Sequence, residues 1–285
     1  MVTGGETMRI RRIVPLLAVL VLGMSGAPSW AARGITIKGS DTMVILGQRW
    51  AESYMNGHPG SVIQVTGGGS GTGIAALING TTDICQASRP MKEDEKRKLR
   101  DRYQTMGNEI AVAKDGLSIY VHESNPLKDV TLAQLKQVYT GAVTNWKQIG
   151  GNDAPIVLYG RENNSGTYVY FKDNILMGED YSARVQTLPG TAAVVNAVAR
   201  DPNGIGYGGA AYAKGVRECA VRKTPQSPAI TPNAATVQDG SYPITRLLYF
   251  YTRTKPSGPV KQFVDWVLSP EGQQLASQVG YFPVR

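Results

Sequence analysis

The scarcity of certain residues narrows the chemistry open to this chain. It carries two cysteines and two histidines in 285 residues. Cys85 and Cys219 fall in different halves of the sequence, which gives neither zinc-ligand spacing nor a disulfide framework. A chain of this size needs no staple, so they read as two buried free thiols, with a bridge the alternative in an oxidising compartment. His58 and His122 stand beside no serine or cysteine in a nucleophile-like setting, and G-x-S-x-G is absent, so the usual signature of a Ser-His-Asp hydrolase is missing. No glycine run is followed by the lysine of G-x-x-x-x-G-K-[ST], and none satisfies G-x-G-x-x-G, which disfavours nucleotide binding. No basic run is interleaved with aromatics, so nucleic acid is disfavoured too. The densest charged stretch, Lys92 to Arg102, mixes both signs and reads as a solvated helix face. Binding therefore ranks above catalysis, and neither a cofactor nor a metal is expected.

Long apolar runs are also scarce. Ile13 to Leu22 follows the basic Arg9, Arg11 and Arg12 and precedes the small-x-small Ser29-Trp30-Ala31, the layout of an export signal spanning 1–31, with Met8 as an alternative start. It is too short for a spanning helix, and no second run follows it. With no cysteine at the cleavage region, no lipid anchor is supported; the mature protein is expected in the periplasm, with full secretion as the alternative. Removing residues 1–31 takes away three Arg and one Glu, so the net charge falls from +8 to +6. That positive excess suits capture of small anions.

Glycine, by contrast, is plentiful and clustered. Gly67-Gly68-Gly69-Ser70-Gly71-Thr72-Gly73 leads directly into the apolar run Ile74 to Ile78. Glycines admit backbone turns closed to other residues, and Ser70 or Thr72 can cap a helix whose free N–H groups face an anion. Gly39-Ser40-Asp41-Thr42, ahead of a helix from Met43 to Met55, repeats the recipe, as does Arg161-Glu162-Asn163-Asn164-Ser165-Gly166-Thr167, ahead of Tyr168 to Leu176. Each alone is ordinary loop material; three that converge would be a site. Desolvating an oxyanion costs on the order of 20 kcal/mol in the idealised limit and each charge-assisted hydrogen bond returns about 1.5–3, so about ten donors are needed. Three helix N-termini with their hydroxyls, plus Arg89 and Arg161, could supply them when two lobes close.

The wider pattern is α/β. Strands are predicted at Gly34 to Lys38, Val62 to Thr66 and Asp83 to Ala87, alternating with helices, one of which carries Met43, Leu46, Trp50 and Tyr54 on one face. Strand, anion-type turn, helix, strand is the grammar of a doubly wound sheet whose ligands sit at the carboxyl ends of strands. The apolar stretch Ile110 to Val121, broken only by Lys114, Asp115 and Gly116, could run from one lobe into the next. A short helix over Leu132 to Tyr139, closed by Gly141, a strand at Ile156 to Tyr159, a helix at Thr191 to Arg200 and a strand around Ile205-Gly206-Tyr207 follow. Lys223 to Gly240 reads as irregular connection. A strand at Ile244 to Tyr251 and a helix carrying Val260, Phe263, Val264, Val267 and Leu268 close the chain. Crossings near 115 and 241 imply two lobes, 32–114 with 242–285 and 115–241, joined by a two-strand hinge. Asp83 reads as a turn residue, and Tyr207 and Tyr251 as packing.

Four motifs in this order, Gly39-Ser40-Asp41-Thr42-Met43, the glycine run from Gly67 to Gly73, Ala87-Ser88-Arg89-Pro90-Met91, and Arg161 through Thr167, closely resemble the periplasmic phosphate-binding subunits of bacterial phosphate ABC importers, the PstS family. The resemblance covers nearly the whole mature chain. It implies a type II periplasmic-binding-protein fold, two lobes closing on inorganic phosphate, and delivery to a membrane permease with a cytoplasmic ATPase. By that resemblance Ser40, Thr42 and the Met43 N–H would meet phosphate from the first helix, and Ser70 and Gly71 from the second. Arg161, Ser165, Gly166 and Thr167 would close over it. Where better-known long members have an aspartate that accepts the phosphate proton, this chain has Arg89, expected either in the cleft or as a surface residue. Asp41 is then expected to take the acceptor role, unless it only caps its helix. One carboxylate can separate phosphate from sulfate, because a protonated phosphate donates a hydrogen bond to it and sulfate does not. Another tetrahedral oxyanion such as sulfate, and an extracellular phosphatase on the same fold, are the alternatives. A receptor that must close and dock is most simply a monomer.

Overall fold

The computed structural model describes residues 1–5 and 34–284; the predicted export signal lies largely outside them. Residues 34–284 form one compact unit. Its elements are β1 (Ile35–Gly39), α1 (Val44–Gly57), β2 (Ile63–Thr66), α2 (Ser70–Asn79), β3 (Ile84–Ala87), α3 (Glu93–Tyr103), β4 (Asn108–Val121), β5 (Asp129–Thr131), α4 (Leu132–Thr140), β6 (Val157–Arg161), α5 (Gly166–Asn174), β7 (Gln186–Leu188), α6 (Gly190–Val198), β8 (Gly204–Gly209), β9 (Arg217–Arg222), α7 (Ala234–Gln238), β10 (Thr245–Thr252), α8 (Gly258–Val267) and α9 (Pro270–Val279).

The strands form one curled sheet in the order β2-β1-β3-β10-β4-β8-β6-β7, with β9 pairing β4 and β5. β2, β1 and β3 run parallel, as do β8, β6 and β7. The antiparallel ladders are those that β10 makes with β3 and β4, and those of β4 with β8 and β9. This is the expected two-lobed α/β architecture. The long apolar stretch does run through as a single strand: β4 pairs β10 up to Gly116 and β8 from Leu117 onward.

Each lobe buries its own core. In the first, Leu46, Trp50 and Tyr54 recur at helical spacing on α1 and pack with Phe250 and Phe263. The Trp50 indole N–H also donates to the Gly272 carbonyl at 2.7 Å, fixing α1 to α9. Burying a side chain of this size stabilises the fold by about 1.5–3 kcal/mol. In the second lobe Leu135, Val138 and Tyr139 from α4 meet Phe171, Ile205 and Tyr207, and Phe171 stacks on Tyr207 with ring centroids 4.1 Å apart.

Several local expectations change. The segment from Lys223 to Gly240 is not wholly irregular, because Asn233 accepts from the Thr236 N–H and starts the short α7. The chain does not end on α8: Ser269 caps a further helix, α9, by accepting from the Gly272 N–H. Cys85 and Cys219 are both free and buried, and burial pushes the Cys219 thiol up to about 12. Asp83 accepts from both the N–H and the hydroxyl of Thr36, tying a turn to β1. Among the described residues no helix is long and apolar enough to cross a membrane.

Candidate functional site

The ends of β1, β2, β3 and β6 all point at one place, and each is followed by a turn into a helix. That is where a doubly wound sheet gathers helix N-termini. The glycine run makes the convergence possible. Gly69 holds φ +90, in the left-handed region, and a Cβ there would lie 2.6 Å from the Asn164 carbonyl oxygen of the opposite lobe.

Serines and threonines from both lobes meet behind that turn, all of them buried. Ser40 donates to the Ser88 hydroxyl at 2.9 Å, the Ser88 N–H donates to Ser70 Oγ at 3.0 Å, and the Ser70 and Ser88 hydroxyls lie 3.3 Å apart. The Thr42 and Thr167 hydroxyls, one from each lobe, are hydrogen-bonded at 2.9 Å. Gly166 packs so tightly here that a Cβ would come within 2.3 Å of Ser70 Oγ and 2.7 Å of Ser88 Oγ. Ser165 caps α5, its hydroxyl oxygen accepting from the N–H groups of Thr167 and Tyr168.

Arg161 is 1% exposed. It donates through Nη1 to the Thr191 hydroxyl at 2.8 Å and through Nη2 to Asp41 at 2.6 Å, while its Nε has no partner. Burial lowers its pKa, and the Asp41 carboxylate opposes that shift. Asp41 does not cap its helix. One of its oxygens takes Arg161 and the other accepts from the Gly68 N–H at 2.7 Å, so it joins the glycine turn to the opposite lobe. Asn164 makes a second bridge, accepting from Gly71 N–H at 2.9 Å and donating to the Gly68 carbonyl at 3.0 Å.

Three expected donors are otherwise engaged, the first being the Gly71 N–H on the Asn164 carbonyl. The Met43 N–H donates to the Ser40 carbonyl at 3.0 Å within its own turn, and the Met43 side chain belongs to the core of the first lobe. Arg89 is not brought into the cluster. Its guanidinium clasps both oxygens of Glu95 at 2.7 and 2.8 Å and donates to the Pro90 carbonyl, because Glu95 closes the start of α3 directly beneath it.

The arginine that does reach the hydroxyls is Arg246, on β10. Its Nη2 donates to Thr167 Oγ1 at 3.1 Å and Thr42 Oγ1 at 3.4 Å, and Nη1 to the Ser88 carbonyl at 3.2 Å. Asp115 holds it at 2.8 Å, and the Tyr170 ring lies 5.3 Å from the guanidinium. Neither Arg246, Asp115 nor Ser88 was singled out as a ligand from sequence. The available signal was a pair of opposite charges interrupting two strands that otherwise read as buried, since buried charge is tolerated only when paired.

The assembled groups are hydroxyls, backbone N–H donors and two guanidinium groups on buried residues, a donor set suited to an oxyanion. Among the described residues, no group of three or more His, Cys, Asp or Glu side chains is placed to hold a metal ion.

Comparison with known proteins agrees with this chemistry. Residues 26–271 match the model of the PBP superfamily domain. The phosphate-binding protein PstS of Pseudomonas aeruginosa is 32% identical over 97% of this chain and 96% of its own length, and that of Bacillus subtilis is 31% identical over 89% and 82%. A phosphate ABC transporter substrate-binding protein from Clostridium perfringens, solved with bound phosphate, superposes with a TM-score of 0.80 at 30% identity, covering 88% of this chain and all of that one. An ABC-type phosphate transport receptor from Vibrio cholerae gives 0.70 at 28% identity, covering 87% and 99%.

Proposed function

We propose a function that starts from one premise: this chain belongs to the PBP superfamily and, within it, to the PstS family of phosphate-binding proteins. It is a periplasmic receptor for inorganic phosphate that serves an ABC importer. The observation that carries this reading is the buried meeting of Thr42 and Thr167, hydroxyls from opposite lobes, under the Arg246 guanidinium. Such a site is completed only when the lobes close, so closure replaces the hydration shell of the ion with fixed donors.

In this reading lobe I comprises 32–114 and 242–285 and lobe II 115–241, with β4 and the chain entering β10 as the hinge. Ser40, Thr42, Ser70, Ser165, Gly166 and Thr167 contact the ion, while the Gly71 N–H stays on the Asn164 carbonyl. Arg161 supplies charge from the second lobe, and Asp41 positions it. The Met43 N–H and Arg89 have no contact role. The protein works as a monomer after loss of residues 1–31, and hands phosphate to the permease without chemistry.

Calorimetric titration of ligand-stripped protein with phosphate, arsenate and sulfate tests this. Phosphate and arsenate are expected to bind one per chain and sulfate not at matching concentrations. Equal binding of sulfate would favour a general oxyanion receptor, and turnover of a phosphomonoester with or without divalent metals would favour an enzyme.

A further inference from the structure

Past α9 the chain touches both lobes again. Gly280, at φ +97, ends the helix, and in the extended backbone after it successive side chains turn to opposite sides. Tyr281 and Phe282 are both buried, at 1% and 9% exposure, yet they enter different cores. Tyr281 belongs to the first-lobe cluster of Leu46, Trp50 and Phe250, and Phe282 to the second-lobe cluster of Leu117, Ile119 and Tyr242. The backbone is fixed between them, because Lys114 of β4 and Phe282 each donate an N–H to the other's carbonyl, at 2.7 and 3.0 Å. The Val284 N–H donates to Gln273 Oε1 on α9 at 2.9 Å, and Gln238 on α7 of the second lobe donates to the Pro283 carbonyl at 3.4 Å. The Tyr281 hydroxyl donates to the Thr42 carbonyl. Thr42 is the residue whose own hydroxyl meets Thr167 and Arg246. Burial raises the Tyr281 pKa, which keeps the phenol a donor.

We propose that Tyr281 is a positioning residue for phosphate capture and Phe282 its anchor in the second lobe: the phenol fixes the Thr42 backbone, and so aims the Thr42 hydroxyl, while the neighbouring ring ties that aim to the other core. The inference rests on the phosphate reading given above. A hydroxyl ligand works only when the groups behind it hold it to within about 0.5 Å of its productive place. Among the described residues Tyr281 makes no hydrogen bond to the clustered hydroxyls, so its effect on the ion passes through Thr42. Because Tyr281 and Phe282 are adjacent, a shift of the second core against β4 is passed one residue along the chain to Thr42. The segment is thus a connection between the lobes beyond β4 and the chain entering β10. It links their relative position to the presentation of one ligand.

The test titrates inorganic phosphate into Tyr281→Phe, Phe282→Ala, Phe282→Leu, Trp50→Phe and the double variant Tyr281→Phe/Phe282→Ala, with a thermal melt of each empty protein. Tyr281→Phe removes one hydroxyl and keeps the ring, and is expected to weaken phosphate roughly two- to tenfold, the worth of one hydrogen bond. Trp50→Phe removes a comparably buried donor from the same core, the one bonded to the Gly272 carbonyl. It is expected to lower the melting temperature and leave phosphate affinity at the parent's value. A purely structural role for Tyr281 predicts that same pattern for Tyr281→Phe, and that result overturns the proposal, as does an equal loss of affinity in Trp50→Phe. Phe282→Ala is expected to weaken phosphate as Tyr281→Phe does, and Phe282→Leu, which refills the hole, to recover most of the loss. In the double variant the two losses should not add, because both act through one contact; full additivity overturns the proposed link. Should Phe282→Ala not fold, Tyr281→Phe against Trp50→Phe alone decides. An unmutated protein that takes up no phosphate removes the receptor reading itself, and this inference with it.

Discussion

At the residue scale, the tightest constraint on the closed site falls on Gly166. Its Cα lies against the Ser70 and Ser88 hydroxyls, and adding a methyl group would put it 2.3 Å from one and 2.7 Å from the other. Both oxygens belong to short, buried side chains fixed by their own hydrogen bonds, so neither can swing away. Gly166→Ala is therefore expected to spare the fold, since alanine suits the first turn of α5, and to oppose closure. Overpacking of this kind costs about 1–3 kcal/mol, so phosphate affinity should fall roughly five- to hundredfold with little change in the melting temperature of the empty protein. Calorimetry paired with a thermal melt checks both halves.

At the scale of elements, the loop entering α5 does two jobs. Ser165 caps the helix and Asn164 reaches across to the glycine run, bonding Gly68 and Gly71, with its amide also 3.3 Å from the Thr72 hydroxyl. These bonds join lobe to lobe without touching the ion, so they act on how long the closed state lasts. Asn164→Ala removes the side-chain bonds and keeps the one made by the backbone carbonyl. With each bond worth about 1 kcal/mol, phosphate should dissociate roughly five- to thirtyfold faster while association stays nearly constant. Stopped-flow displacement measures the two rates separately, and an unchanged dissociation rate would mean the bridge contributes nothing to closure. The same loop explains why Arg161 sits where it does. It ends β6, so its guanidinium emerges at the base of the loop, between Thr191 at the start of α6 and Asp41 in the other lobe.

At the scale of the whole molecule, the two cores are separate clusters, yet they share strands. β4 carries Val112 and Ala113 into the first core and Leu117, Ile119 and Val121 into the second, and Phe282 from the C-terminal segment bridges back to Lys114. A strand common to both lobes couples their unfolding, so a single cooperative transition is expected in calorimetry. Phosphate at about a thousand times its dissociation constant should stabilise that transition by about 4 kcal/mol, or roughly 8–16 °C in a chain of this size. Two resolved transitions, only one of them responding to phosphate, would show that the lobes unfold independently despite the shared strand.

The amino-acid sequence determined whatever depends on neighbours along the chain. The glycine turns, the apolar faces of α1 and α8 and the continuous run that became β4 were legible because backbone freedom and hydrophobic period are local properties. Ser40, Thr42, Ser70 and Thr167 were legible for the same reason, each lying in a turn that feeds a helix. Only the tertiary structure decided which charges serve the site. Arg89 occupies a motif position and yet is claimed by Glu95, six residues on, whereas Arg246 occupies no motif and is delivered by sheet order, which places β10 between β3 and β4. Asp41 and Asp115 are alike as residue types, yet packing sets one against Arg161 and the Gly68 N–H and the other against Arg246. A charge takes its meaning from partners far away in sequence, because in a buried site the energy of an ion is set by the groups that surround it.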